Sequence, residues 1–508
     1  MKFKSIFAAL AAATIVSGAM SAPALAGKKD DTLVFLAERE PPSFDFFMQS
    51  NREGVILNRH IWNGLVHTDP QTGKVEMALA TSVEYLDPVT IHVKLREGVK
   101  FHNGDPMTSE DVAFTFEYNN NPDNRTVGRT RTSWVKQVEV LGPYELKLHL
   151  AKPFPAAMEF LSSNGPVYPK QYFQKIGGTE AFSKAPVGTG RYKVKHTEIG
   201  REIVLERNEN YWAGAKKAGQ IKTIVMRFVP ERNTQLAELL AGNADLVWQV
   251  PPDQAKKLEG RAGLQVIVGD TMRYGYLQFD SGLRGGKKLP VHDRRVRQAI
   301  AHAIDRESIV KNIMGGGVVL HLPCYTTQFG CKAPGAPMYE FNPAKAKALL
   351  AEAGYPNGFE IDFYGYRDRP VAEAIIGFLA DVGIKAKLQW LQYSALRDRV
   401  RAGEIPFNFM AWGSSSINDI ANSTGYFFKG GPDDTTHDPE VIAWLTEGDS
   451  AITPQGRLAP YDKALTKIMK EVYKVPLMSY AYYYAMNKDL DFKPTPDEIT
   501  HLYTARWK

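Results

Sequence analysis

The chain has 508 residues, of which 44% are hydrophobic and 23% charged, and its formal net charge is +6. This length exceeds what one hydrophobic core usually supports, and this composition excludes wholesale disorder. The positive charge is mild and forms no basic block, which argues against nucleic acid as a partner. We therefore expect a globular protein with at least two packing units.

The first 26 residues have the pattern of a cleaved export signal. Lys2 and Lys4 precede an apolar run over residues 6–20, and the Ala-Leu-Ala of residues 24–26 matches the small-residue cleavage pattern. A membrane anchor is the alternative, but the run is short and rich in small residues. No later run approaches the ~20 apolar residues that a bilayer requires. We expect cleavage after Ala26 and export of the rest, whose net charge is then +4 because two lysines leave.

The chain contains only two cysteines, Cys324 and Cys331. In an oxidising compartment, a pair with this short spacing most simply closes a small disulfide loop. A metal pair, which would need further ligands that the neighbourhood lacks, and two free thiols are the alternatives.

The first half of the exported chain reads as short strands, turns and a few helices. A strand from Thr32 leads into the Pro-rich turn PPSFDFF, which a sheet would present at its rim, although a plain connecting loop explains the same residues. Period-two alternation predicts further strands, and spacings of three and four predict helices. The predicted strands are 91–95, 144–150 and 221–229, and the predicted helices start at residue 109 and cover 233–240.

The second half alternates strands with helices. After a glycine- and proline-containing break, Asp293 is placed to cap a helix in which Val296 and Ile300 share a face, and a helical turn from Asp305 stops at glycines 315–317. This alternation predicts a mostly parallel sheet with helices packed on it. The predicted strands are 359–363, 384–388, 407–411 and 475–487, and the predicted helices are 344–353, 371–381, 393–401 and 458–472.

Several stretches of the chain resemble one known family. They are IWNGLVHTDPQTGKVEMALATSV, IHVKLREGVKFHNGDPMTSEDVAFTFEY, APVGTGRYKVKHTEIGREIVLERNENYW and VRQAIAHAIDRESIVKNIMGG. The chain resembles the peptide/nickel family of ABC-transporter solute-binding proteins, the large family 5 of extracytoplasmic receptors. The likeness covers most of the exported chain.

The resemblance implies an α/β fold with mixed sheets, the two-lobed periplasmic binding protein of type II in its large family 5 form. In that fold, a hinge of two crossing strands joins the lobes. We expect residues 1–26 to be the signal, 27–265 the first lobe with an inserted subdomain at about 50–180, 266–478 the second lobe, and 479–508 a return to the first lobe.

No catalytic motif is present in the sequence. It lacks a G-x-S-x-G elbow, an H-E-x-x-H zinc motif, a phosphate-binding loop and a dinucleotide-binding glycine pattern, and its eleven histidines form no pair at metal-ligand spacing. We therefore expect neither an enzyme nor a bound metal or cofactor. A secreted hydrolase whose catalytic groups meet only in the folded chain is the remote alternative.

The segment AWGSSSINDI, residues 411–420, resembles the place where peptide-binding relatives hold a ligand's ammonium group with an aspartate. Here Ser414–Ser416 follow Trp412-Gly413, and the nearest acid is Asp419. Because desolvating an ammonium without a carboxylate is costly, this departure weakens the case for recognition of a free peptide N-terminus. Asp419 is a candidate ligand contact or a helix N-cap. As a ligand contact, its change to Ala should weaken a cationic ligand more than about tenfold and leave the ligand-free melting temperature near unchanged.

Other candidate ligand contacts are an arginine and several aromatic residues. YGYRDRP, residues 364–370, resembles the segment that supplies carboxylate recognition in dipeptide-binding relatives, so Arg369, or else Arg367, is a candidate anion-binding residue. A solvated loop arginine and aromatic core packing are the alternatives. The aromatic candidates, which suit stacking on a sugar ring or flanking a peptide side chain, are Trp412, Tyr274, Tyr276 and Phe44.

The resemblance implies a periplasmic receptor of an ABC importer, which captures a peptide or peptide-like solute by closure of two lobes. The expected partners are that solute and a membrane permease with its ATPase, and a monomer is expected. The alternative for the solute is an opine, an oligosaccharide or a metal chelate.

Overall fold

The computed structural model describes residues 27–49, 51–163, 165–213, 219–413 and 416–508. The predicted signal, residues 1–26, and residues 414 and 415 of the predicted ligand segment lie outside the described residues. The strands are β1 Thr32–Ala37, β2 Val66–Thr68, β3 Val75–Met77, β4 Ala80–Asp87, β5 Thr90–Leu95, β6 Val135–Gly142, β7 Glu145–Leu150, β8 Tyr192–Glu198, β9 Glu202–Arg207, β10 Thr223–Phe228, β11 Leu246–Val250, β12 Leu264–Phe279, β13 Phe359–Gly365, β14 Ile384–Trp390, β15 Phe407–Trp412, β16 Lys474–Asn487, β17 Leu490–Asp491 and β18 Arg506–Trp507. The helices are α1 Arg52–Ile61, α2 Ser109–Asn120, α3 Ala157–Ser163, α4 Lys170–Lys175, α5 Thr179–Phe182, α6 Arg232–Leu240, α7 Pro252–Leu258, α8 Arg294–Ala303, α9 Arg306–Ile309, α10 Pro343–Glu352, α11 Arg369–Asp381, α12 Tyr393–Arg401, α13 Ile420–Phe427, α14 Pro439–Ser450 and α15 Pro454–Lys470.

A mixed sheet runs through both halves of the molecule in the order β14-β13-β15-β12-β16-β11-β1-β10-β9-β8. Strands β10, β1 and β11 are parallel, as are β14, β13 and β15, and the remaining pairs are antiparallel. We call the part built on β1 and β8–β11 the first lobe, and the part built on β13–β15 the second lobe. A separate sheet, β4-β5-β7-β6, forms an inserted subdomain on the first lobe.

Strands β12 and β16 join the two lobes. They pair antiparallel from Leu264 opposite Asn487 to Gln278 opposite Lys474. At one end β16 also pairs with β11, and at the other β12 pairs with β15, so each strand belongs to both lobes. The expected hinge of two crossing strands is confirmed. The predicted lobe boundaries at residues 265 and 478 fall inside these strands and stay a prediction.

A bulge interrupts the pairing of the hinge strands between the lobes. Asp270 lies opposite Ala481 and Tyr274 opposite Ser479, so three residues of β12 face one residue of β16. Bulges bend a strand and redirect its side chains. The displaced Met272 donates its backbone N–H to the carbonyl of Pro496 at 2.7 Å, which ties the hinge to the C-terminal segment.

Each lobe has its own hydrophobic core. Phe35 and Trp248 are buried in the first lobe, Ile300 and Phe363 in the second, and Val93 in the inserted subdomain. Burial of one such side chain is worth about 1.5–3 kcal/mol, and each core contains many of them. Because the cores are separate, relative motion of the lobes does not have to disrupt either one.

Helix ends follow local capping signals. Asp293 caps α8 through its side chain, as predicted, and Asp305, where the next helical turn was predicted to start, caps α9 through its side chain. The chain after α9 continues as one π turn and ends at Gly315, whose φ is 70°. Helix α15 begins four residues before the predicted start, because Thr453 caps it and Pro454 occupies its first position.

The predicted disulfide between Cys324 and Cys331 is present, with an S–S distance of 2.01 Å. The loop that it closes is pinned to the segment before α13. Phe329 donates its N–H to the carbonyl of Asn418 at 3.0 Å and accepts from the N–H of Ile420 at 3.1 Å.

Replacing both cysteines with serine is expected to lower the free energy of unfolding by roughly 2 kcal/mol, because a closed loop restricts the unfolded chain. Denaturant unfolding of the oxidised protein and the double variant measures the difference. A reductant should lower the melting temperature of the wild type and leave that of the double variant unchanged. Equal stability of the oxidised and reduced wild type would contradict this expectation.

Candidate functional site

A cavity of about 190 Å³ lies where the two lobes meet. Most of its wall belongs to the first lobe, from α1, the segment after it, α3 and the C-terminal segment. Met272 of the hinge bulge contributes to the wall, as do Thr327, Ser416 and Asn418 of the second lobe. A solute in this cavity would therefore contact both lobes and the hinge, and clefts between domains are where ligands preferentially bind.

Charged groups of both signs line this interlobe cavity. Burial lowers the pKa of Arg59, and the carboxylate of Asp497 opposes that shift. Burial, with neighbouring Arg191, lowers the pKa of His67 to about 3, so this imidazole is neutral at neutral pH. The ionisable lining residues are Arg59, His67, Asp69, Glu159, Arg191, Asp497 and His501. A ligand with charges of both signs finds opposite charges here.

The C-terminal segment fixes one wall of the cavity. Its His501 ring contacts the carboxylate of Asp497 at 2.7 Å. Burial would raise the pKa of Asp497, but His501 and the hydroxyl of Thr495 lower it to about 2. The guanidinium of Arg191 lies 4.5 Å over the ring of Tyr503, a distance at which a cation is attracted to an aromatic face. These contacts hold the charged side chains in place.

Glu159 forms a contact between the lobes. Its carboxylate accepts from the backbone N–H of Asn418 in the second lobe at 3.5 Å and from the hydroxyl of Thr68 in the first lobe at 3.5 Å. Both distances are at the limit of a hydrogen bond. Burial raises the pKa of Glu159 to about 7, and the nearby charge of Asp419 acts in the same direction.

Between pH of about 5 and 8, the free energy of unfolding of the ligand-free protein should carry a component that falls as the pH rises. The folded-state pKa of Glu159 lies above its ordinary value, so the folded state holds a proton that the unfolded state has lost. Glu159→Gln should remove this component and be most stabilising at the alkaline end. Unfolding titrations at several pH values measure it, with Glu447→Gln on α14 as the control. Parallel pH profiles for the wild type and Glu159→Gln would contradict the assignment.

A second charged cluster ties the hinge to both lobes. The buried carboxylate of Glu498 pairs with Arg52 of α1 at 2.7 Å and with Arg273 of the hinge bulge at 2.7 Å. Arg52 also donates to the hydroxyl of Ser416 at 2.8 Å, and that hydroxyl donates to the carbonyl of Asp497 at 2.5 Å. Four parts of the chain that border the cavity, α1, the hinge bulge, the C-terminal segment and the segment before α13, are thus held together by ion pairs and hydrogen bonds.

Asp419 has a structural role. It caps α13 by accepting from the N–H of Ala421 at 2.9 Å, and it pairs with Arg457 of α15 through two hydrogen bonds of 2.7 Å. Both partners are buried, with 6% and 7% of their side chains exposed. Removing Asp419 would leave the guanidinium uncompensated. We therefore correct the expectation that Asp419→Ala leaves the ligand-free melting temperature unchanged.

The predicted aromatic contacts in the second lobe pack among themselves. Tyr274 and Tyr276 are 0% and 1% exposed, and their ring centroids are 5.4 Å apart. Trp412 is partly exposed and stacks on Tyr426 at 4.6 Å. Tyr276 and Trp412 border a small recess within the second lobe, away from the interlobe cavity. Core packing thus accounts for these rings, and their role as ligand contacts stays a prediction.

The predicted anion-binding arginine and Phe44 also lie outside the cavity wall. The side chain of Arg369 is 61% exposed and pairs with Glu373 at 2.8 Å. Arg367, the other candidate, pairs with Asp368 at 2.7 Å and lies 4.8 Å over the ring of Tyr480. Phe44 packs against the first-lobe core. None of the six predicted ligand contacts, all of which the structure describes, borders the interlobe cavity.

The sequence-based prediction missed the charged residues that do line the cavity. Arg59 belongs to a helix, Glu159 follows a Pro-rich turn, Arg191 follows a glycine turn, and Asp497 lies near the C-terminus. Only Arg191 carries a local signal, because glycines at residues 188 and 190 let the backbone approach α1 closely. Arg59, Glu159 and Asp497 carry no such local signal, because only the folding of the chain brings them to the cavity.

The lobes, the paired hinge strands and the cavity between them define a two-lobed solute receptor, and the sequence comparison agrees. The chain belongs to the bacterial extracellular solute-binding proteins, family 5, because the model of that family's middle region matches residues 74–434. Members of this family are receptors that bind peptides or small ligands outside the cytoplasm and work with ABC permeases. Within the described residues, no helix combines the length and hydrophobicity that a membrane crossing needs. The predicted family and fold class are confirmed.

The chain is similar to several named relatives. It is 28% identical over 406 residues to the oligopeptide-binding protein AppA of Bacillus subtilis, with 75% of this chain and 73% of AppA covered. It is 28% identical over 462 residues to heme-binding protein A of Haemophilus influenzae, with 81% of each chain covered. It is 27% identical over 415 residues to the glutathione-binding protein GsiB of Pectobacterium atrosepticum, with 78% and 74% covered.

Solved structures with the same fold include HbpA2 from Haemophilus parasuis, with a TM-score of 0.84 and 25% identity over 94% of this chain and 100% of that one. The binding protein AgaA of Agrobacterium, solved with agropinic acid, has a TM-score of 0.73 and 26% identity over 94% and 99% of the two chains.

Proposed function

We propose that this chain captures a peptide or peptide-like solute in the interlobe cavity and presents it, with the lobes closed, to the permease of an ABC importer. The observation that carries the proposal is the cavity wall, which both lobes and the hinge bulge build together. A solute that contacts both lobes binds the closed arrangement better than the open one. This differential affinity is what shifts the population and what a permease can sense.

The charges in the cavity support a peptide-like solute. Arg59 and Arg191 offer partners for a carboxylate, and Glu159 offers one for an ammonium group. Guanidinium groups bind carboxylates through paired, charge-assisted hydrogen bonds. A short peptide carries both charges on one polar backbone. The relatives AppA and GsiB are described as binding an oligopeptide and glutathione, which supports the same solute class.

We further propose that the chain is cleaved after Ala26, acts in the periplasm as a monomer, and binds its solute without chemical change. Its family membership and the export pattern of residues 1–26 support this placement. The mass of the protein recovered from the periplasm should correspond to a chain that starts at Gly27. A mass that includes residues 1–26 would contradict the cleavage.

An opine is the second candidate solute. The similarity to AgaA, which was solved with agropinic acid, favours it. An opine also carries carboxylates and a nitrogen centre, so the same cavity charges suit it. Oligosaccharides and metal chelates are the other predicted classes of solute, and the screen below includes both.

A thermal-shift screen tests the solute class. The purified protein is heated with di- to pentapeptides, opines, glycosides and metal chelates, each at several concentrations. A ligand at a hundred times its dissociation constant stabilises the folded state by about 2.7 kcal/mol, which is enough to move the melting curve. We expect peptides to raise the melting temperature. A shift with opines or glycosides and none with peptides would overturn the proposed solute, and turnover of a peptide would overturn the receptor role.

A further inference from the structure

A second cavity, of about 180 Å³, lies between the inserted subdomain and the second lobe. Pro88, Phe154 and Met158 form its wall on one side. Ile452 and Pro454, at the turn between α14 and α15, form its wall on the other side. Its volume is close to that of the interlobe cavity, but these wall residues are apolar.

The polar side chains at the edge of this second cavity have partners within the protein. The hydroxyl of Tyr85 donates to the carbonyl of Phe154 at 3.1 Å. Asp449 accepts from the hydroxyl of Tyr461 at 2.7 Å, and Arg457 is paired with Asp419. Because these groups are already hydrogen-bonded, the surface left for a ligand is mainly apolar, and a polar group placed there would lose its hydration without compensation.

Neighbouring residues border the two cavities. Two consecutive residues of α3 border different cavities, since Met158 borders the second cavity and Glu159 borders the interlobe cavity. On the second-lobe side, Asn418 borders the interlobe cavity and Arg457 borders the second. The first-lobe and second-lobe residues between the cavities meet where the N–H of Asn418 donates to the carboxylate of Glu159 at 3.5 Å. The two cavities therefore lie on either side of this contact, which a solute reaching from one cavity into the other has to displace.

We propose that the second cavity is a subsite for the apolar end of the same solute whose charged part occupies the interlobe cavity. The preferred solute is then elongated, with an ionic part and an apolar side chain or acyl chain. This inference rests on the proposed function for the position of the charged part. Burial of an aromatic or branched aliphatic side chain is worth about 1.5–3 kcal/mol, which corresponds to an affinity gain of roughly tenfold or more.

Two tryptophan variants separate this cavity from the nearby surface. Ile452→Trp fills the second cavity, and Leu458→Trp on α15 is the control, because Ile452 and Leu458 are 50% and 41% exposed but only Ile452 borders the cavity. The probes for calorimetry are the tripeptides Ala-Ala-Ala and Ala-Ala-Phe. The wild type and Leu458→Trp should bind Ala-Ala-Phe about tenfold more tightly, and Ile452→Trp should bind both alike. Equal affinity of the wild type for both tripeptides would overturn the subsite.

A neutral fluorescent probe tests the subsite without depending on peptides. N-phenyl-1-naphthylamine, excited directly, should brighten with the wild type and with Leu458→Trp, and much less with Ile452→Trp. Equal brightening with both variants would overturn the subsite. If neither tripeptide binds, the proposed peptide function fails, and the fluorescence of the two variants still decides whether the second cavity accepts an apolar group.

Discussion

Asp419→Ala will lower the free energy of unfolding of the ligand-free protein by about 3–5 kcal/mol. The change removes the cap of α13 and strips the buried Arg457 of its carboxylate, and an uncompensated buried charge is among the costliest single defects in a protein. Denaturant unfolding of the two proteins measures the loss.

The control for this prediction is Asp253→Ala on α7, whose side chain is 71% exposed and lies 4.0 Å from Lys257. It should change the unfolding free energy by less than about 0.5 kcal/mol. The double variant Asp419→Ala/Arg457→Met should cost less than the sum of its single changes, because it leaves no unpaired charge. Wild-type stability of Asp419→Ala, with weakened binding of a peptide, would return Asp419 to the ligand site.

Arg191→Met will weaken binding of the best peptide from the screen by about thirtyfold or more. The guanidinium lies in the interlobe cavity over Tyr503, and truncating one partner of a buried charge pair typically costs 2 kcal/mol or more, or about thirtyfold in affinity. Methionine keeps much of the side-chain bulk and removes the charge. Calorimetric titration well below the melting temperature of both proteins measures the effect.

Arg369→Met is the matched control for Arg191→Met. Arg369 also lies over an aromatic ring, 5.8 Å from that of Trp390, but its side chain is largely exposed and outside the cavity. Binding should be unchanged. The opposite outcome, with binding lost in Arg369→Met and kept in Arg191→Met, would move the carboxylate site to the position that the sequence first indicated.

Features set by a few neighbouring residues were predictable from the sequence. The caps Asp293 and Asp305 and the pair Cys324–Cys331 are each determined within about ten residues, and all are present. The two-lobed fold followed from the family resemblance rather than from periodicity, because no local pattern indicates that β16 returns to pair with β11.

The residues of the candidate site could not be predicted from short stretches of sequence, and the reason is physical. The sheet of the second lobe is covered on both faces, so the richness in β-forming residues from Tyr274 to Phe279, which indicates a strand, does not tell which face borders the cleft. Asp419 was assigned two roles, and its partner Arg457 lies 38 residues away. Glu159, Arg191 and Asp497 are brought to one cavity only by the packing of distant segments.

The wall of the interlobe cavity contains Asn58 and Arg59 of α1 and also Pro496, Asp497, His501 and Tyr503 near the C-terminus. More than four hundred residues separate these two parts of the wall in the sequence. A chain that ends before residue 503 lacks part of the wall of the interlobe cavity, even if its lobes have folded. Solute capture therefore requires nearly the entire polypeptide, and a truncated chain cannot close on cargo.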